Sequence, residues 1–257
     1  MSDASLPSPQ PSPASGRGSG CALVTGGSAG IGRAICETLL AAGHRVVSLD
    51  RVPAGFAHPS FSTTQVDLGD REATRRVAAE VAAMHAPTTL VHNAGTIRPA
   101  LLADVELADL DALVELHLGA AIQLVQAVLP GMRERGFGRI VLIGSRAALG
   151  AATRTAYSAT KAALLGMART WALELAGDGI TVNVVAPGPI RTDMYHGVVA
   201  AGGEQDLRLA ASIPVGRIGE PGDVARAVAF FADPGNGFVT GQTLFVCGGS
   251  SVSSLKV

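Results

Sequence analysis

The sequence predicts an α/β fold in three layers, a doubly wound parallel sheet of about seven strands with helices on both faces. Three observations carry this. Short apolar runs alternate with longer segments of helical period from residue 20 onward. The runs are continuously apolar, as strands covered on both faces are. A glycine-rich turn, "TGGSAGIG" (25–32), joins the first run to the first helical segment.

The elements follow in order. "CALVT" (21–25) reads as a buried strand, and "IGRAICETLLAAG" (31–43) as a helix stopped by Gly43. "RVVSLD" (45–50) is the second strand. A third precedes "VDLGD" (66–70), and "REATRRVAAEVAAM" (71–84) is helical. "TTLVHNAG" (88–95) is a strand running into a glycine turn. The long helical segment 106–133 is expected to end near Pro130 and Gly131. A strand "RIVLIGS" (139–145), a helix 155–176, a strand "ITVNVVAPG" (180–188), a helix near 221–232 and a strand "QTLFVC" (242–247) complete the series. The stretch 190–220 is the least regular and reads as a mobile segment over a site.

Residues 1–19 are rich in Ser and Pro, lack a signal-peptide core, and read as a disordered tail. Residues 20–257 read as a single catalytic domain. Hydrophobic residues make up 47% of the chain and charged residues 16%, which suits a large core and surface covered by sister subunits. The formal net charge of -1 gives no reason to expect nucleic acid or an acidic membrane as partner. No apolar run is read as approaching the ~18 residues of a membrane span. Cys21, Cys36 and Cys247 are odd in number and lack metal-ligand spacing, so no metal is expected and a reducing, cytoplasmic setting is.

The glycine turn lets backbone N–H groups approach a pyrophosphate at a helix N-terminus. Asp50 ends the second strand, where an acid accepts hydrogen bonds from a ribose 2′-hydroxyl and repels a 2′-phosphate. That favours NAD. Arg51 follows at once and can contact a 2′-phosphate, so NADP stays open.

"TGGSAGIG", "HNAG", a serine after the fifth strand, "YSATK" and "PGPIRT" occur in this order. Together they resemble the short-chain dehydrogenase/reductase family, of the standard single-domain Rossmann type, over about residues 20–252. The resemblance implies an oxidoreductase acting on a secondary alcohol or ketone. It also implies a dinucleotide site built from Gly26, Ser28, Ala29, Gly30, Ile31 and Gly32, with Asn93, Ala94 and Gly95. Asp67 and Leu68 would flank the adenine. Pro187, Gly188, Ile190 and Thr192 would close over the nicotinamide, and Asn183 would support the turn at the active site. A homotetramer is expected on the same basis.

Lysine occurs only at 161 and 256, and tyrosine only at 157 and 195. Four residues apart on a helix, Tyr157 and Lys161 share a face. A phenol's pKa of ~10 is too high for a base near neutrality, and a nearby ammonium lowers it. Tyr157 then serves as general acid/base. By resemblance, Lys161 also holds the nicotinamide ribose. Ser145, at a strand's carboxyl end, can hold the substrate oxygen. A serine nucleophile is the weaker reading, since neither a His–Asp pair nor a G-x-S-x-G elbow accompanies Ser145.

His117 stands where the family usually has asparagine, at a helix kink holding a relay water. It reads equally as a relay member or as a packed helix residue. His92 replaces the first asparagine of "NNAG" and reads as strand packing; Cys247 reads as buried and inert. Arg146 and Arg154, with Arg98 nearby, point to a small anionic hydroxy or keto compound, or else are surface arginines. Two rival functions remain at this stage: an NADPH-dependent 3-oxoacyl-carrier-protein-type reductase, and a dinucleotide-binding regulator without turnover.

Overall fold

The computed structural model describes residues 20–252 apart from 198 and 201. The tail expected at 1–19 and the last five residues of the expected 20–257 domain lie outside the described residues.

Seven strands form one sheet: β1 (Cys21–Thr25), β2 (Arg45–Asp50), β3 (Phe61–Gln65), β4 (Thr89–His92), β5 (Gly138–Ile143), β6 (Ile180–Pro187) and β7 (Thr243–Val246). Their order across the sheet is β3-β2-β1-β4-β5-β6-β7, and every pairing is parallel. The direction of winding therefore reverses between β1 and β4, which opens a crevice at the carboxyl ends of those two strands.

Alternation along each strand feeds two cores. Cys21 and Leu23 of β1 join a cluster with Leu124, Val128 and Leu164. Ala22 and Val24 join the opposite cluster with Ile35, Leu39 and Val228. The first cluster lies under α2 (Arg71–His85), α4 (Ala120–Arg135) and α5 (Thr155–Leu175). The second lies under α1 (Gly30–Ala41) and α8 (Pro221–Ala232). Local signals set the helix ends. Asp70 accepts hydrogen bonds from the Glu72 and Ala73 N–H groups and caps α2. Pro221 opens α8, with the Asp223 carboxylate accepting from the Glu220 N–H at 2.9 Å.

Several expectations are corrected. β3 reads FSTTQ and is largely exposed, because it is the sheet edge and needs no apolar cover on both faces. The long helical segment does not stop at Pro130. It runs as α3 (Leu107–Val114), a π-helical turn Glu115–Gly119, and α4, and ends at Gly136 with φ 60°. Pro130 and Gln126, whose carbonyl the proline leaves without its helical partner, both lie on the exposed side. Meanwhile Val125, Val128 and Met132 hold the inner face in the core.

This continuous helix, Leu107–Arg135, is long and apolar enough to cross a membrane by length and composition, contrary to the sequence reading. Its apolar character has a packing cause: Leu113, Ala120, Ala121, Leu124 and Val128 are buried in the protein interior. The stretch 190–220 is also more regular than expected, with α6 (Asp193–His196) and α7 (Glu204–Ser212).

Candidate functional site

The crevice is a cleft of about 810 Å³ along the carboxyl ends of β1, β2, β4, β5 and β6. Its first wall is the glycine turn. Gly26 and Gly30 take φ of 68° and 52°, in the left-handed region. A Cβ on Gly32 would lie 1.9 Å from the Gly26 carbonyl oxygen, so only glycine lets α1 start this close to the turn. Ala29 precedes α1 with no side-chain cap, which leaves the helix's first N–H groups and positive end to a ligand. Thr25 and Asn93 fasten the turn to β4. Thr25 Oγ1 accepts from the Asn93 and Ala94 N–H groups, both at 2.9 Å. Asn93 Nδ2 donates to the carbonyls of Thr25 and Gly26. This turn, with its open cradle of N–H groups, fits a dinucleotide's pyrophosphate.

Gly26, Ala29, Gly30, Ile31 and Gly32 all lie on the wall, as do Asn93, Ala94 and Gly95. Ser28 does not. Its N–H donates to Asp50 Oδ2 at 2.9 Å and its hydroxyl to the Val52 carbonyl at 2.8 Å, so it braces the turn from behind. Asp50 is on the wall, with its second oxygen accepting from the Arg51 N–H at 2.7 Å. Arg51, Asp67 and Leu68 line the same end. At the other end stand Pro187, Gly188, Ile190 and Thr192. Thr192 Oγ1 accepts from the Tyr195 N–H and caps α6.

Ser145, Tyr157 and Lys161 meet on this wall. Ser145 follows β5, and its Oγ accepts from the Ala147 N–H at 3.1 Å. It is near enough to the Tyr157 phenol to favour the ionised form. The Lys161 ammonium donates to the Ile143 carbonyl at 2.8 Å and lies 5.7 Å from the Tyr157 ring centre. One expectation fails. Burial pushes the Tyr157 phenol up, and the groups pulling it down are Ser145 and Arg154 rather than Lys161. Lys161 is directed at a carbonyl, and its own burial lowers it to about 8.

His117 is fully buried in the π-helical turn and stands behind the wall. Its Nε2 accepts from the Thr96 N–H at 3.3 Å, so its proton resides on Nδ1, facing Thr160 Oγ1 at 2.9 Å. Thr160 in turn donates to the Tyr157 carbonyl at 3.0 Å. Burial, with the Lys161 charge next, pushes His117 down to about 2, so it stays neutral. His92 is buried with Nδ1 3.2 Å from Thr25 Oγ1, and is pushed down to about 3 for the same two reasons.

Arg146 and Arg154 both line the cleft, but Arg98 does not; it faces Asp109 at 3.7 Å. Asn183 is also elsewhere than expected. It accepts from the Gln242 N–H and donates to the Val239 carbonyl, tying β6 to the segment entering β7. Cys247 is buried behind Gly188. Burial raises its thiol, but hydrogen bonds from the 249–251 turn outweigh that and lower it without any cation.

The sequence reading missed Tyr195, Val199, Gln205 and Leu209, which α6, α7 and their connection bring to the wall. Tyr195 donates its hydroxyl to the buried Asp206 at 2.7 Å, and Arg191 holds the same carboxylate at 3.2 Å. An aspartate within the polar run "GEQDLR" gives no sign in sequence that it is buried.

Comparison with known proteins agrees with this geometry. A family described as Enoyl-(Acyl carrier protein) reductase matches residues 26–251. The chain is 38% identical over 242 residues to the (2S)-[(R)-hydroxy(phenyl)methyl]succinyl-CoA dehydrogenase subunit BbsD of Thauera aromatica, covering 90% of this chain and 96% of that one. It is 37% identical over 236 residues to the 3-oxoacyl-[acyl-carrier-protein] reductase FabG of Salmonella typhimurium, covering 89% and 96%. Among solved structures it resembles one assigned as an NAD(P)-dependent gluconate 5-dehydrogenase from Beutenbergia cavernae, with NADP bound at low occupancy. That match has a TM-score of 0.83 and 35% identity, covering 91% of this chain and 97% of the other. The motifs, the doubly wound sheet and these relatives agree: the chain belongs to the short-chain dehydrogenase/reductase family, oxidoreductases that use NAD(P) on hydroxyl and carbonyl groups.

Proposed function

We propose that this protein is an NAD-dependent oxidoreductase that interconverts a secondary alcohol and a ketone, with Tyr157 as general acid/base. The observation that carries the reading is the convergence of Ser145, Tyr157 and Lys161 on the cleft wall shared with the glycine turn. A bound nicotinamide supplies the hydride acceptor for oxidation and the donor for reduction. The chain's own residues handle the rest. Ser145 holds the substrate oxygen and supports the charge that develops there. Tyr157 removes the hydroxyl proton, or returns it to the ketone. Lys161, whose ammonium lies 5.7 Å from the Tyr157 ring centre, would hold the nicotinamide ribose beside the phenol. Asn93, Ala94 and Gly95 shape the floor beneath the cofactor. Ile190 and Thr192 orient the carboxamide.

NAD is preferred because the Asp50 carboxylate, fixed by the Ser28 and Arg51 N–H groups, stands where the adenosine ribose would lie. A second reading, an NADPH-dependent 3-oxoacyl-carrier-protein-type reductase, is favoured by Arg51. Its guanidinium lines the same end with no acidic partner among the described residues. Titration of the purified protein with NADH and NADPH, read by nicotinamide fluorescence, separates the two. Tighter NADH binding supports Asp50 as ribose clamp, and tighter NADPH binding puts the second reading first. If neither binds at millimolar concentration, both fail.

The wider setting belongs to the same proposal. Three free cysteines suit the cytoplasm. Exposed Leu173, Phe230, Phe238 and Leu244 suit burial between subunits of a homotetramer, which sedimentation would check.

A further inference from the structure

Arg154 reaches the cleft from a strained piece of backbone. The preceding residue, Thr153, has φ 62°, a left-handed conformation that a β-branched residue rarely adopts. Three contacts hold it there. The Thr153 carbonyl accepts from the Ala100 N–H at 3.0 Å, and Ala100 and Arg154 form a β-bridge. The Thr153 hydroxyl oxygen accepts from Arg154 Nη1 at 2.7 Å. This pins one arm of the guanidinium against Thr153 while Arg154 stays on the cleft wall between Ala151 and Tyr157.

Arg146 joins it from the turn after Ser145. Neither arginine pairs with a carboxylate among the described residues. By contrast, Arg33, Arg71, Arg133, Arg191 and Arg217 all do. The wall's own carboxylates are Asp50 and Asp67 at the dinucleotide end, and Asp193 at the start of α6. Two arginines with no carboxylate partner among the described residues therefore line the cleft with Ser145 and Tyr157.

We propose that the substrate is a compact hydroxy or keto acid whose carboxylate is held by Arg154 and Arg146, and that Thr153 is the residue that positions Arg154. The proposal rests on the alcohol–ketone reading above. The Arg154 charge acts directly on the Tyr157 phenol. Arg154 stands at the N-terminus of α5, three residues before Tyr157, and both line the cleft, so an anion on Arg154 lies close to the reacting carbon. A short acid meets that requirement. An acyl thioester does not, since its carbonyl is neutral and its phosphates lie at the far end of a long arm.

The test measures NAD-dependent oxidation of C3–C6 hydroxy acids, their methyl esters and 3-hydroxybutyryl-CoA. The best acid is expected to exceed its ester in kcat/KM by ~10- to 100-fold, as a charged hydrogen-bonded pair provides. Arg154→Gln and Arg146→Gln should each shrink that ratio, mainly through KM of the acid, and Arg154→Lys should restore part of it. Thr153→Gly relieves the backbone and removes the hydroxyl. It should shrink the ratio without lowering the thermal midpoint, which a merely structural role would not do. Preference for the ester or the thioester would overturn the proposal. So would an acid preference that survives both arginine variants, or oxidation of none of the acids by protein that binds NADH. If the protein neither binds NADH nor oxidises any acid, ester or thioester, the alcohol–ketone reading has failed as well.

Discussion

Tyr157 sits in surroundings that oppose its ionisation, because burial outweighs the pull of Ser145 and Arg154. The phenol is therefore neutral near pH 7. Tyr157→Phe removes the proton carrier while leaving the glycine turn intact. We expect kcat to fall by ~10²- to 10⁴-fold, with NADH affinity little changed, as initial rates and fluorescence titration would report. Lys161 gives a second prediction. Its pKa is depressed to about 8 in the folded protein from 10.5, so between those values the unfolded chain binds more protons. Folding stability of the wild type should then rise with pH through this window relative to Lys161→Met. Urea unfolding at pH 7.5 and pH 9.5 would reveal the difference, and parallel behaviour of the two proteins would count against a buried ammonium.

At the scale of elements, the turn from β1 into α1 tolerates least. Gly32→Ala drives a methyl into the Gly26 carbonyl, and backbone atoms on both sides leave nothing flexible to yield. The variant should lose dinucleotide binding even if it folds, which the same NADH titration would show. The π-helical turn is the other decisive element. It carries His117 inward to Thr96 and Thr160, and so ties the helix to the cleft wall and to α5. The resemblance implied a kink at His117, but neither the π-helical form of the turn nor the passage of α4 beyond Pro130 was legible in sequence. A proline reads as a stop unless one knows that its ring and the freed carbonyl face water, and that depends on how the helix is rotated against the sheet. Strand and helix order was legible, because continuous apolar runs and 3.6-residue periods are local properties.

For the molecule as a whole, the buried histidines set its acid sensitivity. His92 and His117 have folded pKa values of about 3 and about 2, well below the 6.5 of the unfolded chain. Their contribution to stability is present above pH 6.5 and is lost as pH falls through the interval down to those values. At pH 5 each costs about 2 kcal/mol relative to neutral pH. His117→Asn should therefore lose less stability than the wild type between pH 7 and pH 5 in urea titrations. Dinucleotide binding acts in the opposite direction, and at a hundredfold excess over Kd it should stabilise the protein by about 2.7 kcal/mol.

The sequence by itself determined the doubly wound α/β class, the placing of the glycine turn between strand and helix, and the pairing of Tyr157 with Lys161 on one helical face. Each of these follows from neighbours a few residues apart. Tertiary structure alone decided what those groups feel. It brought Ser145 and Tyr157 onto one wall, turned Lys161 toward a carbonyl, moved Ser28 and His117 behind the wall, and brought Tyr195 and Gln205 onto it. Desolvation and long-range hydrogen bonds depend on elements distant in the chain, and one-dimensional spacing carries no record of them.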